Sequence, residues 1–178
     1  AYPVGSGRSA EVPGDAFYNG NGGVDMPPPI SWIFDSTFLV SFPSDTIHAL
    51  RYRDVYDRME LLFPYFLYDI EGTPIDMYPV TDGENTYWLM PLIIGLDGKN
   101  IAWSQGNPLL RHVGYSLINI YDGSIQIYVT GDDFFSKLFK TIYGGYIETE
   151  IPLWLQNQTR YPEELFEWRI SMFNNYHV

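Results

Sequence analysis

The stretch that decides the fold is residues 115–143, YSLINIYDGSIQIYVTGDDFFSKLFKTIY. Two runs within it, 115–121 and 124–130, are rich in the β-branched and aromatic residues that suit strands of a half-buried sheet. Between them, Asp122-Gly123 is typical of a type I′ turn, which needs positive φ at both central residues. We therefore predict a β-hairpin whose side chains alternate between a covered and an open face of the sheet.

A helix is predicted directly after this hairpin. Asp132 is the expected N-cap, because its carboxylate can accept hydrogen bonds from the free amides of the first turn. A negative charge at Asp133 is also favourable beside the positive end of the helix dipole. Gly144-Gly145 is the expected end of the helix. Its apolar residues recur at helical spacing and form the predicted inner stripe: Phe134, Phe135, Leu138, Phe139 and Ile142.

Two more helices are predicted in the first third of the chain. Residues 30–42, ISWIFDSTFLVSF, are apolar nearly all round and predict one buried helix, with a pair of strands as the alternative. Four of its side chains share one side: Ile30, Ile33, Phe34 and Phe38. The next helix is predicted to begin at Ser44 or Asp45 and to end at Pro64, since proline cannot continue a helix.

The middle of the chain predicts a second hairpin over residues 75–94, with 82–85 (Asp-Gly-Glu-Asn) as its loop. A turn is expected at 97–98, and residues 100–104 are expected to add a short strand. Residues 105–114, QGNPLLRHVG, are interpreted as the connection to the central hairpin. The second hairpin therefore supplies further antiparallel strands.

The C-terminal part predicts an extended run over 147–151 and a final helix. Tyr161-Pro162 marks the beginning of that helix, because proline is favoured at the first helical position. Its predicted inner stripe is Leu165, Trp168, Met172 and Tyr176. Taken together, the elements predict an α+β fold: a small antiparallel sheet of hairpins flanked by several helices. We predict an irregular N-terminal arm over residues 1–29 and a single domain over residues 30–178.

Composition narrows the classes of function. The 178 residues are 46% hydrophobic and 17% aromatic, which indicates a real core. The formal net charge is −12, so a nucleic-acid partner is disfavoured by repulsion from the phosphates. Cysteine is absent, which excludes disulfides and thiolate chemistry. The chain begins at Ala1 and no apolar run approaches the roughly 20 residues that span a bilayer. We expect a cut or processed piece, which leaves room for a signal or membrane segment outside it.

Motifs that carry chemistry are not found in the sequence. The three histidines, His48, His112 and His177, are far apart and show no metal-binding spacing, so we predict no metal site and no cofactor. The carboxylate pairs at 132–133 and 163–164 are adjacent and stand at predicted helix starts, whereas acid–base hydrolysis of glycosides needs carboxyl groups opposed across a cleft. We assign no catalytic residue.

Aromatic residues offer the best candidates for a binding site. Tyr87, Trp88 and Trp103 would form a platform for stacking a sugar ring if they were exposed on one sheet face. The competing interpretation is that these side chains belong to the core, as most aromatics do.

Several of these stretches resemble one protein family. They are residues 120–124 (IYDGS) with the strand, cap and helix that follow, 160–166 (RYPEELF), and 51–69 (RYRDVYDRMELLFPYFLYD) paired with a hairpin carrying Tyr87-Trp88. In this order they are similar to the extracytoplasmic part of the large membrane proteins called uncharacterised protein family 0182. The resemblance covers most of residues 45–178.

The resemblance implies a soluble domain held outside the membrane by helices that lie elsewhere in a longer protein. The family has no established activity, so no site residues are carried over. We expect a role in interaction or scaffolding, with protein partners or surface glycans. The alternatives are a carbohydrate- or peptide-binding module and an acidic extracytoplasmic hydrolase. An aromatic row on a sheet face would favour binding, and two opposed carboxylates with raised pKa would favour hydrolysis.

Overall fold

The computed structural model describes residues 2–3, 23–50, 54–100, 104, 106–148 and 150–176. Its contacts group the chain into two compact units, residues 1–59 and residues 60–178. The division into an arm over 1–29 and one domain over 30–178 stays a prediction.

The first unit contains a small three-stranded sheet and short helices. The sheet has the order β1 (Tyr2–Pro3), β3 (Ile47–Leu50), β2 (Val24–Met26), with β1 parallel and β2 antiparallel to β3. Helices α1 (Ile30–Phe34) and α2 (Thr37–Ser41) lie between β2 and β3 in the chain.

The prediction of one buried helix over residues 30–42 is wrong, because the chain forms two short helices that part at Asp35. The Oδ1 atom of Asp35 accepts hydrogen bonds from the amide and the hydroxyl of Thr37, at 2.9 and 2.8 Å. These bonds favour a new turn over continuation of the first helix. Phe38 and Ser31 are buried. Three of the four side chains predicted to share one side of the buried helix, Ile30, Ile33 and Phe34, are instead exposed, and so are Leu39 and Val40.

The next predicted helix exists but begins later than expected. Residues Ile47–Leu50 form a strand, and helix α3 is Val55–Leu62. Neither predicted cap begins this helix, because the Oδ1 atom of Asp54 accepts hydrogen bonds from the amides of Tyr56 and Asp57, at 2.8 and 3.3 Å. Ile47–Leu50 pairs with β1 on one side and with β2 on the other, which stabilises it as a strand. The helical pattern of the sequence did not indicate this pairing.

The second unit is built on a five-stranded sheet with the order β10-β9-β8-β7-β6. The strands are β6 (Tyr78–Thr81), β7 (Thr86–Leu96), β8 (Leu109–Asn119), β9 (Ile125–Val129) and β10 (Ile147–Glu148). Neighbouring strands are antiparallel except β10, which is parallel to β9. The two predicted hairpins, β6–β7 and β8–β9, are confirmed.

The centre of this sheet is covered on both faces. Residues 89–94 of β7 and 113–118 of β8 are buried without a break. The predicted alternation of a covered and an open face is therefore wrong in the middle of the sheet. Continuous burial needs a layer on each side.

Helices on opposite faces provide these two layers. Adjacent residues of a strand point to opposite faces, so Arg111 and His112 of β8 mark one face each. Arg111 pairs with Asp133 at the beginning of helix α4 (Phe134–Ile142). The ring of His112 lies 6.3 Å from that of Tyr161, just before helix α6 (Glu163–Tyr176).

Residues 109–114 of the segment predicted as a connection, 105–114, belong to strand β8, so the interpretation is wrong for that part. The pairing of β8 with β7 shifts register between Leu92 and Ile93, which marks a β-bulge. Beside this bulge, Gly114 allows a close approach of two strands. A Cβ atom there would lie 1.9 Å from the carbonyl oxygen of Tyr128.

The turn of the central hairpin is longer than the predicted type I′ turn and occupies residues 120–124. Gly123 has φ of 69°, but Asp122 is not in the left-handed region, so the type I′ prediction is wrong. The side chain of Asn119 organises this turn instead. Its Oδ1 atom accepts hydrogen bonds from the amides of Tyr121 and Asp122, at 2.8 and 3.3 Å.

Helix α4 is present as predicted, but its cap is one residue later. The Oδ1 atom of Asp133 accepts hydrogen bonds from the amides of Phe135 and Ser136, at 2.8 and 3.2 Å. Asp132, the predicted cap, is exposed and pairs with Lys137 at 3.4 Å. The helix ends before Gly144-Gly145, as predicted.

The C-terminal helices pack on the face of the five-stranded sheet opposite to α4. The short helix α5 (Leu153–Gln156) was not predicted, and Leu155 from it is fully buried. Helix α6 follows Pro162 as predicted, and Leu165 of its inner stripe is fully buried. Glu164 joins α6 to the segment before β6, since its Oε1 atom accepts a hydrogen bond from the amide of Asp76 at 2.7 Å.

A small hairpin precedes the large sheet and was not predicted. It consists of β4 (Asp69–Ile70) and β5 (Thr73–Pro74). Its two turn residues, Glu71 and Gly72, have φ of 53° and 84°, which is the type I′ geometry. Glycine suits such a conformation, whereas a glutamate rarely adopts it.

The predicted α+β class is confirmed by these helices and mostly antiparallel sheets. The strand expected over residues 100–104 falls almost entirely outside the described residues. Within the described part of the chain, every helix is too short or too polar to cross a bilayer.

Candidate functional site: an apolar groove with an acidic rim

A groove opens on the α6 face of the second unit, where β7 ends and β8 begins. Its volume is about 310 Å³, at the lower end of the range for ligand pockets. Four elements contribute its lining: the β4–β5 hairpin, the two strand ends and α6. The lining residues are Leu67, Asp69, Ile70, Glu71, Gly95, Leu96, Asp97, Pro108, Leu110 and Trp168.

The floor of this groove is continuous with the hydrophobic core. Ile70 and Leu110 belong to a buried cluster completed by Ile75, Ile93 and Leu165, and Leu67 and Trp168 pack against it. Gly95 matters because a Cβ atom there would lie 3.1 Å from the Cδ1 atom of Leu67. A glycine inside a strand often marks a place where another group approaches closely.

The rim carries three carboxylates, and turn geometry places two of them. The Oδ1 atom of Asp69 accepts a hydrogen bond from the amide of Gly72 at 3.0 Å. The Oδ1 atom of Asp97 accepts one from the amide of Lys99 at 2.9 Å. Glu71 stands at the turn of the β4–β5 hairpin. All three acidic residues are exposed.

This combination determines what the groove can bind. Apolar walls favour an aliphatic or aromatic group, and the carboxylates favour a positive charge beside it. Among the described lining residues, the ionisable side chains are the three carboxylates Asp69, Glu71 and Asp97. The groove therefore offers apolar contacts and negative charge to a bound group.

His112, one of the three scattered histidines for which the sequence predicts no metal site, lies on the same sheet face as the groove. Its ring stands 4.6 Å from that of Tyr115 and 6.3 Å from that of Tyr161. The Nε2 atom is buried without a hydrogen-bond partner among the described residues. Burial lowers the pKa of His112, so the neutral ring is favoured. A neutral, enclosed imidazole fits a structural role in this layer.

The predicted aromatic platform is not brought together by the described residues. Tyr87 and Trp88 are adjacent in β7 and therefore point to opposite faces. Tyr87 packs on Trp154 with ring centroids 5.7 Å apart, and its hydroxyl donates to the Oδ2 atom of Asp82 at 2.9 Å. Trp103 lies outside the described residues. A binding role for Tyr87, Trp88 and Trp103 stays a prediction.

Metal ligands do not assemble in the part of the chain that the structure describes. No group of three histidine, aspartate or glutamate side chains is positioned there to hold an ion. His48 pairs with Asp25 through its Nδ1 atom at 2.7 Å, in the first unit. His177 lies outside the described residues.

Exposed apolar stripes are the second feature of this unit. The outer α6 stripe consists of Phe166, Ile170 and Phe173, whose exposed fractions are 56%, 45% and 63%. The outer α4 stripe consists of Phe134, Leu138 and Ile142, exposed by 71%, 39% and 47%. The spacing of each set places it along one side of its helix.

Sequence reasoning missed both the groove and the outer α6 stripe. The groove unites residues that are far apart in the chain, such as Asp69 and Trp168. A local signal existed for the stripe, because Phe166, Ile170 and Phe173 recur at intervals of four and three. The predicted inner stripe covers only the other apolar side of the same helix.

Comparison with known proteins agrees with the resemblance found in the sequence. The model of the uncharacterised protein family UPF0182 matches residues 113–178. A UPF0182 protein of Moorella thermoacetica is 29% identical over 175 residues, which cover 90% of this chain and 18% of that protein. A UPF0182 protein of Desulforamulus reducens is 26% identical over 192 residues, covering 99% of this chain and 19% of that protein.

The predicted resemblance to this family is thus confirmed. The chain spans about a fifth of the length of the curated relatives that it matches. No solved structure gives a significant match.

Proposed function

We propose that this chain is an interaction domain on the extracytoplasmic side of an integral membrane protein, and that it binds a protein partner without catalysing a reaction. The observation that carries the interaction role is the outer α6 stripe. Two phenylalanines and an isoleucine stand exposed along one side of a helix whose opposite side already packs on the core. Contiguous exposed apolar surface of this kind is typical of protein-binding sites.

Energetics favour a partner at this surface. Fully burying a large apolar side chain contributes about 1.5–3 kcal/mol, and because these three are already about half buried, covering all of them adds roughly 3 kcal/mol to association. Because the three residues lie along one helix side, the matching element is an amphipathic helix with its own apolar stripe.

The charges beside the outer α6 stripe further limit which partner helices would fit. Glu163 and Glu167 flank the outer α6 stripe on one side at helical spacing, and the whole chain carries −12. A partner helix with lysine or arginine beside its apolar stripe would complement both. The same negative balance disfavours a nucleic-acid partner.

The hydrolase alternative finds less support than binding. A general acid in a cleft needs a raised carboxyl pKa. Hydrogen bonds from Thr37 lower the pKa of Asp35, and those from Asn85 and Glu84 lower the pKa of Asp82. For Asp133, partial burial opposes the change, but hydrogen bonds from Ser136 and Phe135 and the charge of Arg111 still lower the pKa.

The extracytoplasmic location rests on what the family resemblance implies, and it can be tested in cells. Because the chain has no cysteine, Glu84→Cys in the exposed β6–β7 loop gives a single reporter when the full-length protein is expressed in a cysteine-free background. A membrane-impermeant thiol reagent should label it in intact cells. Ser116→Cys, fully buried, is the matched control and should react only after denaturation. Labelling of Glu84→Cys only after lysis would contradict the location.

The protein partner can be tested by photo-crosslinking in the full-length protein. Benzoylphenylalanine at Phe166 replaces one aromatic side chain by another and should form a covalent adduct with a protein. The control is the same probe at Tyr121, which is similarly exposed at 59% but lies in the β8–β9 turn. Equal adducts from both positions, or none from Phe166, would contradict the proposal.

A further inference from the structure

We propose that the acidic groove binds a lysine or arginine side chain from an extended segment of a protein, with its aliphatic stem on the floor and its charged head at the rim. This site is separate from the outer α6 stripe, and neither depends on the other. The groove lies on the inner side of α6, where Trp168 forms part of its lining.

The chemistry of the groove matches the two parts of such a side chain. Lysine and arginine bury their methylene stems along apolar surface while the charged head stays in contact with water or a counter-charge. Here Leu110, Ile70 and Leu67 provide the apolar floor, and Asp69, Glu71 and Asp97 provide the counter-charges.

Trp168 adds a preference for a cation. An ammonium or guanidinium group over the face of a tryptophan is attracted by the ring quadrupole, and this attraction is strongest for tryptophan among the aromatic side chains. Trp168 is half-buried, so one part of the ring packs on the core and another part is available to the groove.

Gly95 keeps the apolar floor compact without filling the groove. A side chain at this position would begin 3.1 Å from Leu67 and 3.7 Å from Leu110. Its absence lets the two leucines form the floor and leaves the space above the strand open.

The size and charge of the site favour one basic side chain with its neighbours. A volume of about 310 Å³ is too small for a helix but holds a long side chain together with an adjacent apolar one. Three carboxylates around this space repel anionic groups and attract cationic ones. An extended peptide with arginine between leucines has the required chemistry.

Binding can be measured with a fluorescently labelled peptide, acetyl-Ala-Leu-Arg-Leu-Ala-amide, titrated with the chain at low salt. The matched probe contains citrulline, which has the shape of arginine without its charge. We expect binding of the arginine peptide to be weakened by added salt. The citrulline peptide should bind several-fold more weakly. Equal affinity for both peptides would overturn the proposal.

Charge-removing variants test whether the groove is the site. Glu71→Gln and Asp97→Asn should each raise the Kd of the arginine peptide roughly two- to fivefold, as expected for exposed ion pairs. Asp132→Asn removes the same charge on the opposite face of the sheet and should leave the Kd unchanged. An equal effect of Asp132→Asn would mean that the peptide responds to net charge alone, which overturns the site.

A small polyamine provides the last arm of the test. Spermidine offers ammonium groups without a peptide backbone and should compete only weakly with the arginine peptide. If spermidine binds while the peptide does not, the occupant is a free amine and the assignment to a protein segment is overturned. The crosslinking experiment at Phe166 is unaffected by any of these results.

Discussion

Helices α4 and α6 cover opposite faces of one sheet, but they differ in how their apolar residues divide between the core and solvent. On α4, the predicted apolar stripe is divided: Phe139 is buried, whereas Phe134, Leu138 and Ile142 face solvent. On α6, the predicted inner stripe does pack on the core through Leu165. A second apolar stripe then covers the outer side of α6.

This difference shows the limit of what apolar periodicity predicts about a helix. Spacing identifies which sides of a helix are apolar, but it does not identify what covers each side. On α4 the exposed residues continue the stripe that Phe139 buries, whereas on α6 the exposed stripe lies on the side opposite Leu165. A helix with two apolar sides, such as α6, indicates a further layer, which we assign to a protein partner.

The largest expected effect separates the two sides of α6. Leu165→Ala should lower the free energy of unfolding by about 2–5 kcal/mol, because it opens a cavity in a fully buried cluster. Phe166→Ala, one residue later on the outer side, should change it by less than about 0.5 kcal/mol. Urea denaturation of the chain measures both. A loss at Phe166 as large as at Leu165 would mean that the outer stripe belongs to the core.

The beginning of α4 provides the second test. Asp133→Ala removes the cap and should lower the Tm by roughly 2–4 °C, the shift expected for losing a helix cap in a chain of this length. Asp132→Ala, at the residue predicted from the sequence, should leave the Tm nearly unchanged because its carboxylate caps nothing. Circular dichroism during heating would show the opposite ranking if Asp132 were the cap.

Acid stability should depend on Asp82 in the β6–β7 loop. Hydrogen bonds from the amides of Asn85 and Glu84 lower the pKa of Asp82 to about 2, compared with about 3.9 in an unfolded chain. A carboxyl group whose pKa is lowered by folding stabilises the fold at pH values above its pKa in the unfolded chain. This stabilisation is lost as the pH falls through the pKa of the folded state. Stability should therefore fall between about pH 4 and pH 2.

Asp82→Asn should flatten this dependence, because the amide cannot titrate. Thermal unfolding measured across the same pH window checks the prediction. Glu84→Gln removes a neighbouring charge but keeps the backbone hydrogen bonds to Asp82, so it should leave the slope in place. An unchanged slope in Asp82→Asn would contradict the assignment.

The smallest effect is expected in the β4–β5 turn. Glu71 has φ of 53°, in the left-handed region where asparagine is favoured over glutamate. Glu71→Asn should raise the free energy of unfolding by roughly 0.5–1 kcal/mol. Glu84→Asn is the control, since Glu84 is not in that region, and it should give no gain. Denaturant unfolding of both variants decides between them.

Local chemistry explains which parts of the fold could be predicted from the sequence. The β6–β7 and β8–β9 hairpins follow from strand-forming runs around turn residues, and α6 follows from Pro162 and the acidic first turn. The two short helices around Asp35 could not be foreseen from the apolar run, because the hydrogen bonds that the Asp35 side chain accepts from Thr37 decide where the helix breaks.

The candidate site could not be predicted from local sequence patterns. The groove needs Asp69, Asp97 and Trp168 to meet, and only the packing of α6 on the sheet brings them together. The aromatic prediction was based on residue type, whereas strand geometry separates Tyr87 from Trp88.

The most direct test of the interaction role is the reactivity of a cysteine placed in the outer α6 stripe. Ile170→Cys should react readily with a thiol reagent in this chain by itself, where residue 170 is 45% exposed. In the full-length protein in its native membrane, we expect the reaction to slow at least several-fold because the partner covers the stripe. Glu84→Cys should react equally in both settings. An Ile170→Cys that remains as reactive in the full-length protein would contradict the account.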